Sequence, residues 1–344
     1  MMPRKEAIDL FASDDLIGIG MAADQVRRRL HPEGVVTYII DRNINYTNFC
    51  TEYCSFCAFY RPMGHAEGYI LPKETIFEKI QETVDLGGTG VLMQGGLHSE
   101  LKIEWYEDLL SSIKKRFPQV WLHCFSSPEI QNIAAVSGLS LRDTIARLRD
   151  SGLDSIPGGG AEILDDAVRH RIARLKCNTQ EWVDVHRTAH ELGMRTTATM
   201  MFGCGETLEQ RMNHLDVVRN LQEETGGFTA FIPWTFQREN TSLGRFVKEE
   251  ATAVEYLQTL AVSRLYLENI LNVQSSWVTQ GLKTCQVGLR FGGNDVGSIM
   301  IEENVVSAAG AHNRASEEEL RRIIRDAGFI PKQRDTLYRT YFLN

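Results

Sequence analysis

Short apolar runs recur along nearly the whole chain, at 35–40, 90–94, 120–125, 153–156, 196–202, 228–234 and 270–275, with a weaker eighth at 295–299. Between them lie stretches with helical spacing. Ile76, Ile80 and Val84 recur at four-residue steps, Trp105, Leu109 and Ile113 do the same, and Leu208, Met212, Leu215 and Val218 follow threes and fours. A period near 3.6 gives each such helix one apolar stripe, whereas the runs between them are of strand length. Several helical stretches close on a glycine just before the next run, at Gly87, Gly152, Gly193 and Gly226, where a helix end calls for a left-handed residue. Strand and helix alternating six to eight times is the signature of a parallel sheet covered by helices, so the fold class is α/β.

Two architectures satisfy that alternation, an open doubly wound sheet and a closed barrel. A doubly wound nucleotide fold carries a glycine-rich fingerprint after its first strand, but here the first run leads into Asn43-Ile44-Asn45-Tyr46-Thr47-Asn48. Polar or glycine-rich clusters instead follow most of the runs: Gln94-Gly95-Gly96, Ser126-Ser127, Gly158-Gly159-Gly160 and Gly203-Cys204-Gly205-Glu206. Groups gathered at the C-terminal ends of many strands are what a barrel mouth requires. The expectation is a (β/α)8 TIM-type barrel over 34–315, with a short helical cap at 1–33 and a C-terminal helix and extension of the same domain at 316–344.

Lys and Arg number 37 against 45 Asp and Glu, a net charge of −8, and no basic block is long enough for a nucleic acid or an anionic membrane. A small molecule is the expected partner. The first ten residues mix Arg4, Lys5, Glu6 and Asp9 with single apolar residues, unlike a signal peptide, and no later run approaches a membrane span, so the expected location is the cytoplasm.

Seven cysteines is an odd count, and Cys50, Cys54 and Cys57 crowd into one short segment while Cys124, Cys177, Cys204 and Cys285 are scattered. That is no disulfide framework; the scattered four read as small buried hydrophobes. The cluster points to metal or redox chemistry, and ligand count separates the candidates. Structural zinc wants four closed ligands, which three cysteines and one histidine supply, and an electron-carrying 4Fe-4S cluster takes four cysteines. Three thiolates on a four-iron cube leave one iron open to bind a substrate or cofactor.

The spacing Cys50-x3-Cys54-x2-Cys57, with Phe56 before the last cysteine, resembles the radical S-adenosylmethionine (SAM) superfamily. The resemblance implies that Cys50, Cys54 and Cys57 hold a 4Fe-4S cluster whose open iron chelates S-adenosyl-L-methionine. Phe56 then belongs to the cofactor site, Gly95 and Gly96 face the methionine amino group, Glu162 the ribose hydroxyls, and the turn from Gly203 to Glu206 the adenine. Taken singly, glycines after a strand are also ordinary turns and Glu162 is also placed to cap a helix; in this order, each after a strand, they form a track.

Five segments, Asn45-Tyr46-Thr47-Asn48, Cys57-Ala58-Phe59-Tyr60-Arg61, Gln94-Gly95-Gly96-Leu97-His98, Pro157-Gly158-Gly159-Gly160-Ala161-Glu162 and Phe231-Ile232-Pro233-Trp234-Thr235-Phe236, together resemble the dehypoxanthine futalosine cyclase family of the futalosine route to menaquinone. The resemblance runs from about residue 33 to near the C-terminus. It implies that a 5′-deoxyadenosyl radical removes the ribose C4′ hydrogen of dehypoxanthine futalosine, that the carbon radical attacks the benzoate ring, and that loss of an electron and a proton restores aromaticity. An external one-electron reductant such as flavodoxin or ferredoxin is implied as well. The substrate then calls for Gln94 and an aromatic-lined mouth with Tyr60 and Trp234, for a cation on its carboxylate from Arg61 or Arg290, for His98 as acceptor of the ring proton, and for Asp295 on ribose hydroxyls. The sibling aminofutalosine and deazaflavin-precursor synthases share the cysteine loop, and a non-enzymatic zinc protein is the alternative of another class.

Overall fold

The computed structural model describes residues 2–339; the end of the expected C-terminal extension, 340–344, lies outside the described residues. Its strands are β1 (Val35–Ile39), β2 (Asp41–Ile44), β3 (Gly90–Met93), β4 (Trp121–Cys124), β5 (Ser155–Ile156), β6 (Arg195–Phe202), β7 (Phe228–Thr235), β8 (Asn272–Val273), β9 (Asp295–Ser298) and β10 (Ile330–Gln333). From β2 to β8 they form one parallel sheet in chain order, and β10, β1 and β9 form a second.

The two sheets are parts of one curled wall. β1 and β2 are a single strand interrupted at Ile40, the lower half pairing with β9 and β10 and the upper half with β3. On the far side β8 meets β9 through the parallel bridge Gln274–Asp295, with Asn294 N donating to Val273 O at 3.1 Å and Ser275 N to Asp295 O at 2.8 Å. The expected α/β barrel is therefore present, a seven-stranded sheet closed through the smaller one, with a single bridge pair at the β8–β9 seam.

Helices form where the stripes predict. Ile76 and Ile80 of helix Lys73–Asp85, and Leu109, Leu110 and Ile113 of helix Ile103–Arg116, are fully buried with Val91 and Leu122 of the sheet; each such side chain contributes about 1.5–3 kcal/mol of burial. Helix Leu208–Thr225 starts in a capping box of Thr207 and Gln210 and ends at Gly226, whose φ of 61° is left-handed. Helices Arg4–Phe11 and Leu16–Leu30 precede β1 and pack on helix Ala253–Tyr266.

One strand departs from the expectation. Beyond residue 316 the chain forms the expected helix, Glu317–Asp326, but then returns as β10 beside β1. Its run of Ile330-Pro331-Lys332-Gln333 hides the strand, because proline offers no donor; an edge position tolerates that loss. Among the described residues no helix is long and apolar enough to cross a membrane.

Candidate active site

The loop after β2 carries the three clustered cysteines and is pinned on every side. Gly96 N donates to Thr47 O at 2.9 Å, Cys50 N to Arg61 O at 2.9 Å, Thr51 N to Leu97 O at 3.1 Å, and Ser55 N to Ile172 O at 2.9 Å, while Leu243 N donates to Ser55 O at 2.8 Å. Cys50 and Cys54 are buried, Cys57 is half-buried, and all three are free thiols. Burial raises the Cys50 thiol and pushes Cys54 up to about 12. Such thiols ionise readily only against a strong countercharge, which a bound metal centre provides. Among the described residues no three His, Cys, Asp or Glu side chains converge on a single metal ion.

The glycine pair seats this loop. A Cβ on Gly96 would lie 2.2 Å from the Phe49 carbonyl oxygen and 2.8 Å from the Cys50 Cβ, and one on Gly95 2.7 Å from the Tyr46 ring. Gly95 N donates to Glu129 Oε1 at 2.9 Å; the same buried carboxylate accepts from the Tyr46 hydroxyl at 2.8 Å and from Ser126 N at 2.7 Å. Glu129 belongs to the capping box that opens helix Ser127–Ser137, so one residue caps a helix and fixes the glycine turn. The sequence signal was Ser126-Ser127-Pro128-Glu129.

Glu162 stands after β5 at a φ of 40°, a conformation rare for a residue with a side chain. Its Oε1 accepts from Lys176 Nζ at 3.1 Å, while Oε2 is sealed from solvent, 3.7 Å from the Arg169 guanidinium and without a hydrogen-bond partner. Burial opposes the charge on Lys176, but the Glu162 and Cys54 charges outweigh it and raise its pKa. The ammonium also lies 5.1 Å from the Phe56 ring centroid, so a cation sits between the cysteine loop and the carboxylate. Arg169 donates to Ala161 O at 2.6 Å and Gly160 O at 3.0 Å, holding the glycine turn. Neither Lys176 nor Arg169 belongs to a motif, and no local spacing announces them.

Below the loop the barrel encloses a cavity of about 320 Å³, lined by residues that include Asp41, Asn43, Gln94, His123, Glu162 and Trp234, a volume within the small-molecule range. Burial, with the nearby Arg334 charge, lowers His123 to about 3, so its imidazole is neutral. Gln94, Glu162 and Trp234 thus meet at one cavity, with Gly95, Gly96 and Phe56 against the cysteine loop. Tyr60 stays half-buried on that loop, its ring edge-to-face with Tyr53 at 5.6 Å.

Other expected residues are committed elsewhere. Glu206 accepts from Gly203 N at 2.8 Å, Cys204 N at 2.9 Å and Arg211 at 2.6 Å, so it braces the turn after β6 from within; Gly203 gives that turn its φ of 81°. Arg61 is paired with Glu67 at 2.7 Å and donates to the Tyr60 carbonyl at 2.9 Å, wrapping its own loop. Arg290 lies away from the cavity, donating to Ala327 O at 2.6 Å over the Phe329 ring. His98 is buried, with Nδ1 accepting from Glu100 N at 3.1 Å and its ring packed edge-on against Phe49. Asp295 is fully buried, held by Arg334 at 2.9 Å and by the Thr37 hydroxyl at the barrel seam. These five side chains are each engaged with neighbouring protein groups, and none of them lines the cavity.

The arrangement fits a thiolate-bound cluster with a nucleoside-bearing ligand beside it: three thiols on one pinned loop, a backbone cradle that admits no Cβ, and a cavity-lining glutamate with one orphaned carboxylate oxygen. Comparison with known families decides the class. The family described as the radical SAM superfamily matches residues 44–218, and the CofH/MqnC C-terminal region matches 225–343. The chain is a radical SAM enzyme. A cyclic dehypoxanthine futalosine synthase of Halalkalibacterium halodurans is 50% identical over 97% of this chain and 90% of its own length. A synthase of the same name from Streptomyces coelicolor is 44% identical over 97% and 84%. A 5-amino-6-(D-ribitylamino)uracil–L-tyrosine 4-hydroxyphenyl transferase of Methanothermobacter thermautotrophicus is 42% identical over 94% and 90%. The barrel of this radical SAM enzyme is shared with a solved methylornithine synthase, at a TM-score of 0.68 and 19% identity over 96% of this chain and 94% of that one. Its cofactors are accordingly a 4Fe-4S cluster and SAM.

Proposed function

We propose that the enzyme cyclises dehypoxanthine futalosine to cyclic dehypoxanthine futalosine in menaquinone biosynthesis. The observation that carries the reading is the 50% identity, across nearly the whole chain, to a synthase of that name. In this reading Cys50, Cys54 and Cys57 hold the cluster, Gly95, Gly96, Phe56 and Glu162 surround SAM, and the cavity beneath takes the substrate against Gln94 and Trp234. When bound, the cluster and SAM supply the 5′-deoxyadenosyl radical that removes the ribose C4′ hydrogen.

The protein's own part is placement and exclusion. The orphaned Glu162 oxygen accepts from a ribose hydroxyl, while Lys176 holds the other carboxylate oxygen at 3.1 Å. Trp234 and Ile232 give the cavity an apolar wall that holds the reacting carbons together and keeps water off the radical. An external one-electron donor of the flavodoxin or ferredoxin class and a cytoplasmic location belong to the same reading.

The transferase relatives favour a second reading, in which the same barrel joins two substrates, as their name describes. Anaerobic turnover separates the two. Reduced, iron-loaded protein with SAM and dehypoxanthine futalosine is expected to yield a product two hydrogens lighter with no second substrate; turnover only with tyrosine and the uracil present would overturn the proposal. Cys54→Ala is expected to lose both turnover and most of the about four irons a cube brings per chain, measured by iron analysis; full iron content would refute the ligand assignment.

A further inference from the structure

Strand β2 turns two polar side chains into the barrel, at alternate positions and so on one face, Asp41 below and Asn43 above. Asn43 is 6% exposed, and its Oδ1 is sealed from solvent with no hydrogen-bond partner among the described residues. A buried amide left unpaired costs free energy comparable to a lost hydrogen bond, so it marks a place where a ligand supplies the partner. The Asp41 carboxylate lines the same cavity and has no ion-pair partner among the described residues. The charged and titratable groups around it are Asp295 of β9, Arg334 beyond β10, His123 of β4 and Tyr338. Arg334 is engaged with Asp295 through both its Nε and NH2 groups, which consumes the nearest cation, and His123 is neutral.

We propose that Asp41 and Asn43 form a subsite at the cavity floor for the adjacent hydroxyls of the substrate's sugar, distinct from the Glu162 oxygen assigned to SAM. The proposal rests on the substrate reading above and deepens it. Carboxylate and amide oxygens accept from hydroxyl donors, and positions two apart on a strand are about 6–7 Å apart, a span that lets each take one of two neighbouring hydroxyls. A carboxylate with no free cation beside it also repels a benzoate carboxylate. The benzoate carboxylate is therefore turned away from Asp41. The sequence expectation placed Asp295 on ribose hydroxyls; the structure spends that residue on Arg334 and offers Asp41 in its place.

The test is equilibrium binding of dehypoxanthine futalosine, and of the analogue whose ribose lacks the 2′- and 3′-hydroxyls, to iron-loaded, SAM-bound protein. The wild type is expected to prefer the hydroxylated compound by about tenfold to a hundredfold. Asp41→Asn and Asn43→Leu are each expected to lose about tenfold of that preference, by weakening the parent compound and leaving the analogue nearly unchanged; thermal melts report that each is folded. Two variants that keep the full preference, in a protein whose wild type still cyclises the substrate, would overturn the subsite alone. A wild type that neither binds nor cyclises dehypoxanthine futalosine would overturn the substrate reading itself.

Discussion

Asp41 offers a direct check on the lumen, because its protonation is linked to folding. Burial raises its pKa from 3.8 to about 6, with Asp295 adding to the shift and the Ser298 hydroxyl and Arg334 opposing it. A carboxyl with a raised folded-state pKa favours the fold while protonated. Its cost is absent below about pH 4, grows as pH rises through about 6, and is constant above that. Asp41→Asn is therefore expected to be more stable than the wild type at pH 8, by on the order of 2 kcal/mol in urea melts, with the difference closing between pH 6 and 4. A pH-independent difference would contradict the burial of that carboxyl. The two features least visible in the sequence, this carboxyl and the Lys176–Glu162 pair, depend on which side chains the barrel brings together across long stretches of chain. Lys176 has no local pattern, whereas Asp41 and Asn43 had a faint one, polar residues alternating just beyond a run whose expected end was residue 40.

At the level of elements, the cysteine loop and the glycine pair were readable because each is contiguous, and together they form the seat. Gly96→Ala is expected to shift the loop, since the new Cβ would meet the Phe49 carbonyl at 2.2 Å and a backbone atom yields less easily than a flexible side chain. A loss of about 1–3 kcal/mol in stability, with reduced iron content, is the expected outcome; unchanged iron and melting would show that the seat is not tight. Strand positions were legible because their apolar runs are short and bounded. Strands β5 and β8 keep regular pairing over only two residues each, and β10 was hidden by Pro331. Residues expected at the substrate, Arg61, His98 and Arg290, were chosen for their chemistry, and local carbonyls, amides and Glu67 had already claimed them. Glu206 followed the same rule, closing its own turn instead of facing the cavity.

The molecule as a whole depends on closing a sheet whose last seam is thin. Asp295 and Arg334 lie at that seam, 0% and 6% exposed in their side chains, and join β9 to the segment after β10. Asp295→Ala leaves a buried guanidinium unpaired and is expected to cost about 3–5 kcal/mol in unfolding experiments; a cost below 1 kcal/mol would place closure elsewhere. With the barrel closed, the cysteine loop covers one end of the cavity and Asp41 stands deep within it, so a ligand spanning the two brings a sugar carbon toward the cofactor side. Dehypoxanthine futalosine deuterated at ribose C4′, incubated anaerobically with the reduced, iron-loaded protein and SAM, tests that placement most directly. The account predicts one deuterium in the 5′-deoxyadenosine released, together with a product that has lost that deuterium and one further hydrogen; 5′-deoxyadenosine free of deuterium, beside unchanged substrate, would contradict it.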